Sequence, residues 1–425
     1  MTETPNAAAE SGAAHTLLLT CPCCGLACDD LAVGAGGAVD GKGCAIAKAY
    51  FARGKTASLP HAIAGAPASY EEAIAAAAAL LSSARHPWFG GLGADLNGIR
   101  GLLALADRTG GVAEHHASKF LMRNYGIVQS EGWMVSTFSE IANRADVIVI
   151  IGDDQRNAFP RFYERLVSNA NALYRDAPPE VVLLAPPVST PLDPAVTRHI
   201  EVAETELLGQ VGALLALIHG RVWRSKTKPA DGLAELAAKL KAAKYGVVAW
   251  SAGALPGAQP DLLVELMAEI VRTLNVTTRA AGLPLGGIDN AIGSVQVVAW
   301  QTGFPARVAY KTSGPDHDPH LFSGERAAAS GEIDLLVWTA AIGPVQPPDY
   351  DCPVIAIVAG DMELTHPTAV TIRVGMPAVD HAGNVTRSDG VVALPLAALD
   401  ANTKYPTVAE ASAAILAGLT TGGRS

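Results

Sequence analysis

The stretch SEIANRADVIVIIGDD, Ser139 to Asp154, decides the fold class. Val147 to Ile151 is an unbroken run of five aliphatic residues, too short for a helix and with no polar side to face water. Such a run belongs to a strand covered on both faces, as in a parallel sheet. Similar runs recur outward from it at 181–186, 245–253, 334–340 and 353–360. Helical patterns at 203–219, 231–243, 260–274 and 407–419 fall between or after them. On the other side, SYEEAIAAAAALLSSA opens with the capping pair Ser69 and Glu72, so a helix is expected from there. PWFGGLG reads as a strand meeting a glycine turn, and NGIRGLLALADRTGG as a helix ended by Gly110 and Gly111. Strand and helix in alternation define an α/β protein built from doubly wound, Rossmann-like domains. Two are expected: one from 61–115 with 330–425, the other, 116–329, inserted into it. A small Cys-rich domain, 16–60, precedes them, and 1–15 reads as a disordered tail.

A chain of 425 residues has room for two or three cores, and its 49% hydrophobic residues are ample to fill them. Only 17% are charged, which points to surface covered by partner subunits. The net charge of −10 argues against nucleic acid or an anionic membrane as partner. No apolar run reaches the ~18 residues of a membrane span. Without a signal peptide pattern, the expected compartment is the cytoplasm, where clustered thiols favour metal over disulfide.

The strongest chemical signal is TCPCCGLACDD, Thr20 to Asp30, followed by Cys44. Cys21, Cys24, Cys28 and Cys44 have the spacing of a four-thiolate site for Zn2+ or a [4Fe–4S] cluster. Cys23 is then a bystander, and Cys352 a small core hydrophobe. Asp29 and Asp30 are expected to cap a turn or pair with a base, and Arg144 to fix a helix-to-strand junction. His115–His116 and the DHDPH segment, Asp316 to His320, read as loop histidines before they read as ligands. FGGLGADLNG lacks a complete phosphate-binding glycine pattern.

TCPCCGLACDD, GKGCAIAKAY, SEIANRADVIVIIGDDQRNAFPR, PLGGIDNAIGSVQVVAWQTGFP and VDHAGNVTRSDG together resemble the B subunit of formylmethanofuran dehydrogenase, over nearly the full chain. The wider family is that of the molybdopterin/tungstopterin oxidoreductases. The resemblance implies a metal held by pterin dithiolenes and one cysteine or selenocysteine followed by histidine. Those positions read Phe120 and Leu121 here, and neither side chain has a lone pair to give. The cofactor-contacting turn becomes Gly152, Asp153, Asp154 and Gln155, whose carboxylates would repel pterin phosphates. The resemblance therefore implies a non-redox B subunit without molybdopterin or tungstopterin, as in bacterial formyltransferase/hydrolase complexes of one-carbon metabolism. There the sister subunits are an amidohydrolase, a formyltransferase and a β-helical protein. With no electron path, Zn2+ is the better fit to the four cysteines. The alternative is a working tungsten or molybdenum dehydrogenase subunit whose metal is held by His115 or His116.

Overall fold

The computed structural model describes residues 17–55, 58–225, 227–400 and 405–419. The tail expected at 1–15 lies outside the described residues. Two parallel sheets organise the rest. The smaller has five strands, all parallel, in the spatial order Arg198–Glu201, Glu180–Ala185, Val147–Ile151, Gly246–Ser251, Ala280–Leu285. The run that decided the fold class is its central strand, and all five residues are buried. Helices Leu207–Ile218, Leu233–Ala242 and Pro260–Leu274 share a core with one face of this sheet.

The larger sheet has nine strands. Its parallel centre runs Val112–Ala113, Pro87–Gly93, Leu335–Ala340, Val354–Ala359, Val370–Val374. Antiparallel hairpins extend both edges, Val308–Lys311 with Gly314–His317 on one side and His61–Ile63 with Ala66–Ala68 on the other. Helices Tyr70–Ser83, Leu96–Thr109 and Val408–Gly418 pack together on one face. The capping box at Ser69 and Glu72 forms as expected, and Thr407 with Glu410 makes a second. Gly110 ends Leu96–Thr109 in the left-handed conformation.

The boundary expected at 329 does not match the pairing. Val308 and Ala309 hydrogen-bond to Ala113 and Val112, so the 308–317 hairpin belongs to the larger sheet. Helix Ala291–Thr302 likewise packs on Leu96–Thr109. The chain returns to the first unit just after Leu285, and no composition shift marks that crossing.

The cysteine-rich segment is a three-stranded antiparallel sheet, Leu17–Leu19, Leu31–Val33, Val39–Asp40, followed by helix Ala45–Ala52. Charge ties it to the five-stranded unit. Arg161 grips Asp30 with two hydrogen bonds of 2.7 and 2.8 Å and turns its remaining edge to Glu164. Arg165 reaches both Asp30 and Asp29 at 2.8 Å. The Arg161 hydrogen bonds hold the Asp30 carboxyl at a pKa of about 2. The sequence expectation that Asp29 and Asp30 meet a base holds. Replacing Asp30 with Ala is expected to cost about 1–2 kcal/mol, because Arg161 stays buried with half its partners gone. Urea denaturation of D30A against the parent chain measures it, and D29A should cost less, since among the described residues Arg165 alone pairs with it.

Candidate functional site

The two sheets have the same winding rule. In each, the first of the parallel strands is internal and later parallel strands are added on both sides of it, which leaves a switch point between neighbours. In the smaller sheet it lies between Val147–Ile151 and Gly246–Ser251, in the larger between Pro87–Gly93 and Leu335–Ala340. Ligands in such folds sit beyond the carboxyl ends of strands at these points. A cavity of about 790 Å³ lies there, lined from one unit by Ser251–Ala254 and Leu285 and from the other by Ile342–Val345. Cys23 and Cys24 of the cysteine turn also line it, as do Tyr50 and Arg53 of the following segment.

Phe120 and Leu121 both line this cavity. They sit in the first turn of helix Ser118–Ser130, which the sequence patterns did not single out. Arg123 stacks its guanidinium over the Phe120 ring at 5.1 Å and donates to Ala252 O. One turn on, Asn124 is buried and accepts a hydrogen bond from Trp250 Nε1 at 3.0 Å.

The acidic turn behaves differently from the expectation. Asp154 is buried, bonded to Arg156 at 2.6 Å and to the Tyr163 hydroxyl at 3.2 Å. Asp153 accepts from Asn157 Nδ2 and from the Asp154 backbone N–H. Neither carboxylate, nor Gln155, faces the cavity, and Asn157–Phe159 reach it instead. The turn spends its charge on its own loop, so it repels nothing in the cavity.

The carboxylate that does line the cavity is Asp289, which sequence reading passed over. Asp289 and Asn290 both have left-handed φ, +51° and +61°, unusual for residues other than glycine. Several bonds hold them there, among them Thr386 N–H to Asn290 Oδ1 at 2.9 Å. Asp289 N–H donates to Cys23 O at 3.1 Å, and His115 Nε2 lies 3.3 Å from Asp289 O. His116 Nε2 sits 3.1 Å from Asp289 Oδ2, and Asn290 Nδ2 donates to Ala94 O at 2.9 Å. His115 Nδ1 accepts the Ala117 N–H, and burial beside His116 pushes its pKa well below the usual 6.5. His115 is therefore a neutral buttress rather than a free ligand. The only sequence signal for Asp289 was the pair Asp-Asn after two glycines, a left-handed turn signature.

The remaining motifs are structural. Asp95 caps Leu96–Thr109, accepting from Asn97 and Gly98 N–H, so the glycine turn before it offers no empty phosphate cradle. His317 stacks on Phe304, Asp316 pairs with Lys311, and Asp318 accepts from the His320 and Leu321 backbone. Asp146, not Arg144, fixes the helix-to-strand junction, through Lys244 and Tyr245 N–H. Arg144 instead lies over Tyr174 and reaches Glu140 at 4.0 Å.

All six cysteines are free. Cys21, Cys23, Cys24 and Cys28 are buried and Cys44 is half-buried, its sulfur accepting Ala47 N–H at 3.5 Å. A hydrogen bond with Cys23 lowers the Cys21 pKa and raises that of Cys23. Burial raises Cys24, with a further push from the charges of Cys21, Cys28 and Cys44, and raises Cys28 to about 12. The thiols thus feel one another, with Arg161 and Arg165 as the cations that offset them. Among the described residues, no three His, Cys, Asp or Glu side chains converge as a formed metal site.

Behind Gly286, one of the lining residues, three segments meet closely. Ser388 N–H donates to Gly25 O at 2.8 Å, and Ser388 Oγ donates to Gly286 O. A Cβ on Gly25 would strike Gly286 O and come within 2.6 Å of Ser388 Oγ, and its φ is +74°. Gly25→Ala is expected to cost about 2–4 kcal/mol and to loosen the cysteine turn. Thermal melting together with faster thiol labelling of Cys23 and Cys24 checks it, against Gly126→Ala, where no atom stands in the way.

Two doubly wound units with a cavity at their joint carboxyl ends are a frame shared with known proteins. No protein-family model matches the chain. It is 30% identical over 357 residues to the B subunit of the formyltransferase/hydrolase complex of Methylorubrum extorquens, covering 83% of this chain and 94% of that protein. It is 26% identical to the B subunit of a tungsten-containing formylmethanofuran dehydrogenase of Methanocaldococcus jannaschii, covering 76% of this chain and 77% of that one. A crystal structure of the Methylorubrum extorquens complex with methylofuran contains a chain that superposes with a TM-score of 0.73 at 26% identity, covering 84% of this chain and 98% of that one. The chain belongs to the family of formyltransferase/hydrolase complex B subunits. None of the described helices is long and apolar enough to cross a membrane.

Proposed function

We propose that the chain is a non-redox, architectural B subunit of a formyltransferase/hydrolase complex handling one-carbon units on tetrahydromethanopterin- and methanofuran-type carriers. The observation that carries this is Phe120 with Leu121 in the wall of the cavity, where the family resemblance expects a thiolate or selenolate and a histidine. A phenyl ring and an isobutyl group cannot ligate tungsten or molybdenum. The polar groups around them fit a pterin poorly as well. Asp289 brings a carboxylate, and Arg53 is committed to Asp361 and Ile342 O. In this reading the chemistry lies in sister subunits of amidohydrolase, formyltransferase and β-helical type, within the cytoplasm. Family membership, and the complex in which the Methylorubrum relative was crystallised, support it.

Cys21, Cys24, Cys28 and Cys44 would hold a structural Zn2+, with a [4Fe–4S] cluster as the other occupant of that donor set. The soft donors and the mutual influence of their thiols support the assignment, since a divalent ion would supply positive charge to thiolates, although the four sulfurs do not converge here as a formed site. Its role would be to hold the small three-stranded sheet in place.

Tagged protein purified from its native cells is expected to bring the three sister subunits with it in mass spectrometry, with zinc but no stoichiometric tungsten or molybdenum by elemental analysis. Stoichiometric tungsten or a monomeric chain would overturn the architectural reading. A brown preparation with Fe–S absorbance would replace zinc by the cluster, and a colourless, zinc-free one would remove the metal.

A further inference from the structure

The cavity is large, and two of its wall residues have polar atoms without a partner among the described residues. Asn124 is 7% exposed and Asp289 4%. Asn124 Oδ1 is taken by Trp250, which leaves its Nδ2 donor facing the cavity without a protein acceptor. Asp289 Oδ2 is taken by His116, which leaves Oδ1 without a donor. That oxygen lies against Gly343, where a Cβ would collide with it. The missing side chain keeps the carboxylate edge open to the cavity. Most of the remaining wall is apolar, with Phe120, Phe159 and Ile288 among its larger side chains. Phe120 and Ile288 are 38% and 52% exposed, so the cavity opens to the outside past them.

Charge selects the occupant. Among the described residues Arg53 is the one cation in the wall, and both edges of its guanidinium are spent on Asp361 and Ile342 O. The N-termini of helices Ser118–Ser130 and Ala291–Thr302 also reach the cavity, each worth about half a positive charge. Three of their leading N–H groups are already used. Ser118 N–H donates to His115 O, Phe120 N–H to Ala117 O, and Ala291 N–H to Ile288 O. Asp289, just ahead of the second helix, places a carboxylate at its positive end, with His116 on Oδ2 and Oδ1 toward the cavity. The cavity wall therefore already supplies a carboxylate, which favours a cation over an anion as its occupant.

We propose that this cavity binds an arylalkylamine, its ammonium group on Asp289 Oδ1 and its ring against apolar walls that include Phe120 and Phe159. This rests on the reading that no metallopterin fills the space. The pair 2-phenylethylamine and 3-phenylpropionate, matched in ring and length but opposite in charge, tests it by calorimetry on the purified full-length chain. Tungsten and molybdenum are measured on the same sample.

The amine is expected to bind saturably, one per chain, about tenfold or more tighter than the acid, the scale of one charge contact in a partly dehydrated site. Asp289→Asn should remove the preference. Ala158→Trp, at an exposed position on the cavity wall, should weaken amine binding without changing the melting temperature. Equal or tighter binding of the acid, amine binding unaffected by A158W, or no amine binding to metal-free protein would each overturn the inference alone. Stoichiometric tungsten would instead overturn the architectural reading beneath it.

Discussion

Backbone packed on backbone is the constraint from which the centre of this molecule follows. Gly25, Gly286 and Ser388 meet with no room for a side chain on the first. They come from the cysteine turn, from the return crossing between the two sheets and from the loop near the C-terminus. Glycine is required because peptide groups must approach one another closely, and because the turn at Gly25 has positive φ. Closing this contact accompanies the seating of the cysteine turn on the crossover, where Asp289 N–H meets Cys23 O and Cys23 and Cys24 enter the cavity wall. The Asp29–Asp30 cluster with Arg161 and Arg165 secures the same segment from the other side.

The switch points of the two sheets then decide where a ligand site can exist. Each sheet alone would offer a shallow crevice at its carboxyl edge. Facing one another, they enclose about 790 Å³. What the wall presents is set by local choices. Phe120 and Leu121 are there because helix Ser118–Ser130 begins at the cavity, and Asp289 because a left-handed turn ends the crossover. That turn is costly for an aspartate, and His115, His116 and Cys23 O hold it. Strain maintained by several separate segments at a cavity wall is the kind of feature that marks a site rather than a loop.

Elements with strong local signals were legible from the sequence. Val147–Ile151 is a central strand, Ser69 and Glu72 make their capping box, and helix Pro260–Leu274 spans its expected residues. The hairpin at 308–317 was not, because strands of four residues at a sheet edge have no long apolar run, and their partner, Val112–Ala113, has only two. Helix Ser118–Ser130 was missed as well, since its buried positions alternate with Lys119, Arg123 and Gln129 and its N-cap, Ala117, has no capping side chain. Of the cavity, Phe120 and Leu121 could be named beforehand, while Asp153 and Asp154 could be named but not placed. Their partners, Arg156, Asn157 and Tyr163, are local, yet which way a short loop turns its carboxylates depends on what packs behind it.

The sequence by itself determined the α/β class, the clustering of four cysteines and the absence of a metal-ligating side chain at positions 120 and 121, because periodicity and residue chemistry are properties of the chain. Only the tertiary structure decided that Asp289 is the charge in the cavity and that Asp153 and Asp154 are spent elsewhere. It alone decided that the chain rejoins its first sheet after Leu285. The place of Asp289 depends on contacts with His115, His116 and Cys23, more than a hundred positions away, and that of Asp153 and Asp154 on how a short loop is turned by what packs behind it; no local pattern encodes which carboxylate is left facing the cavity.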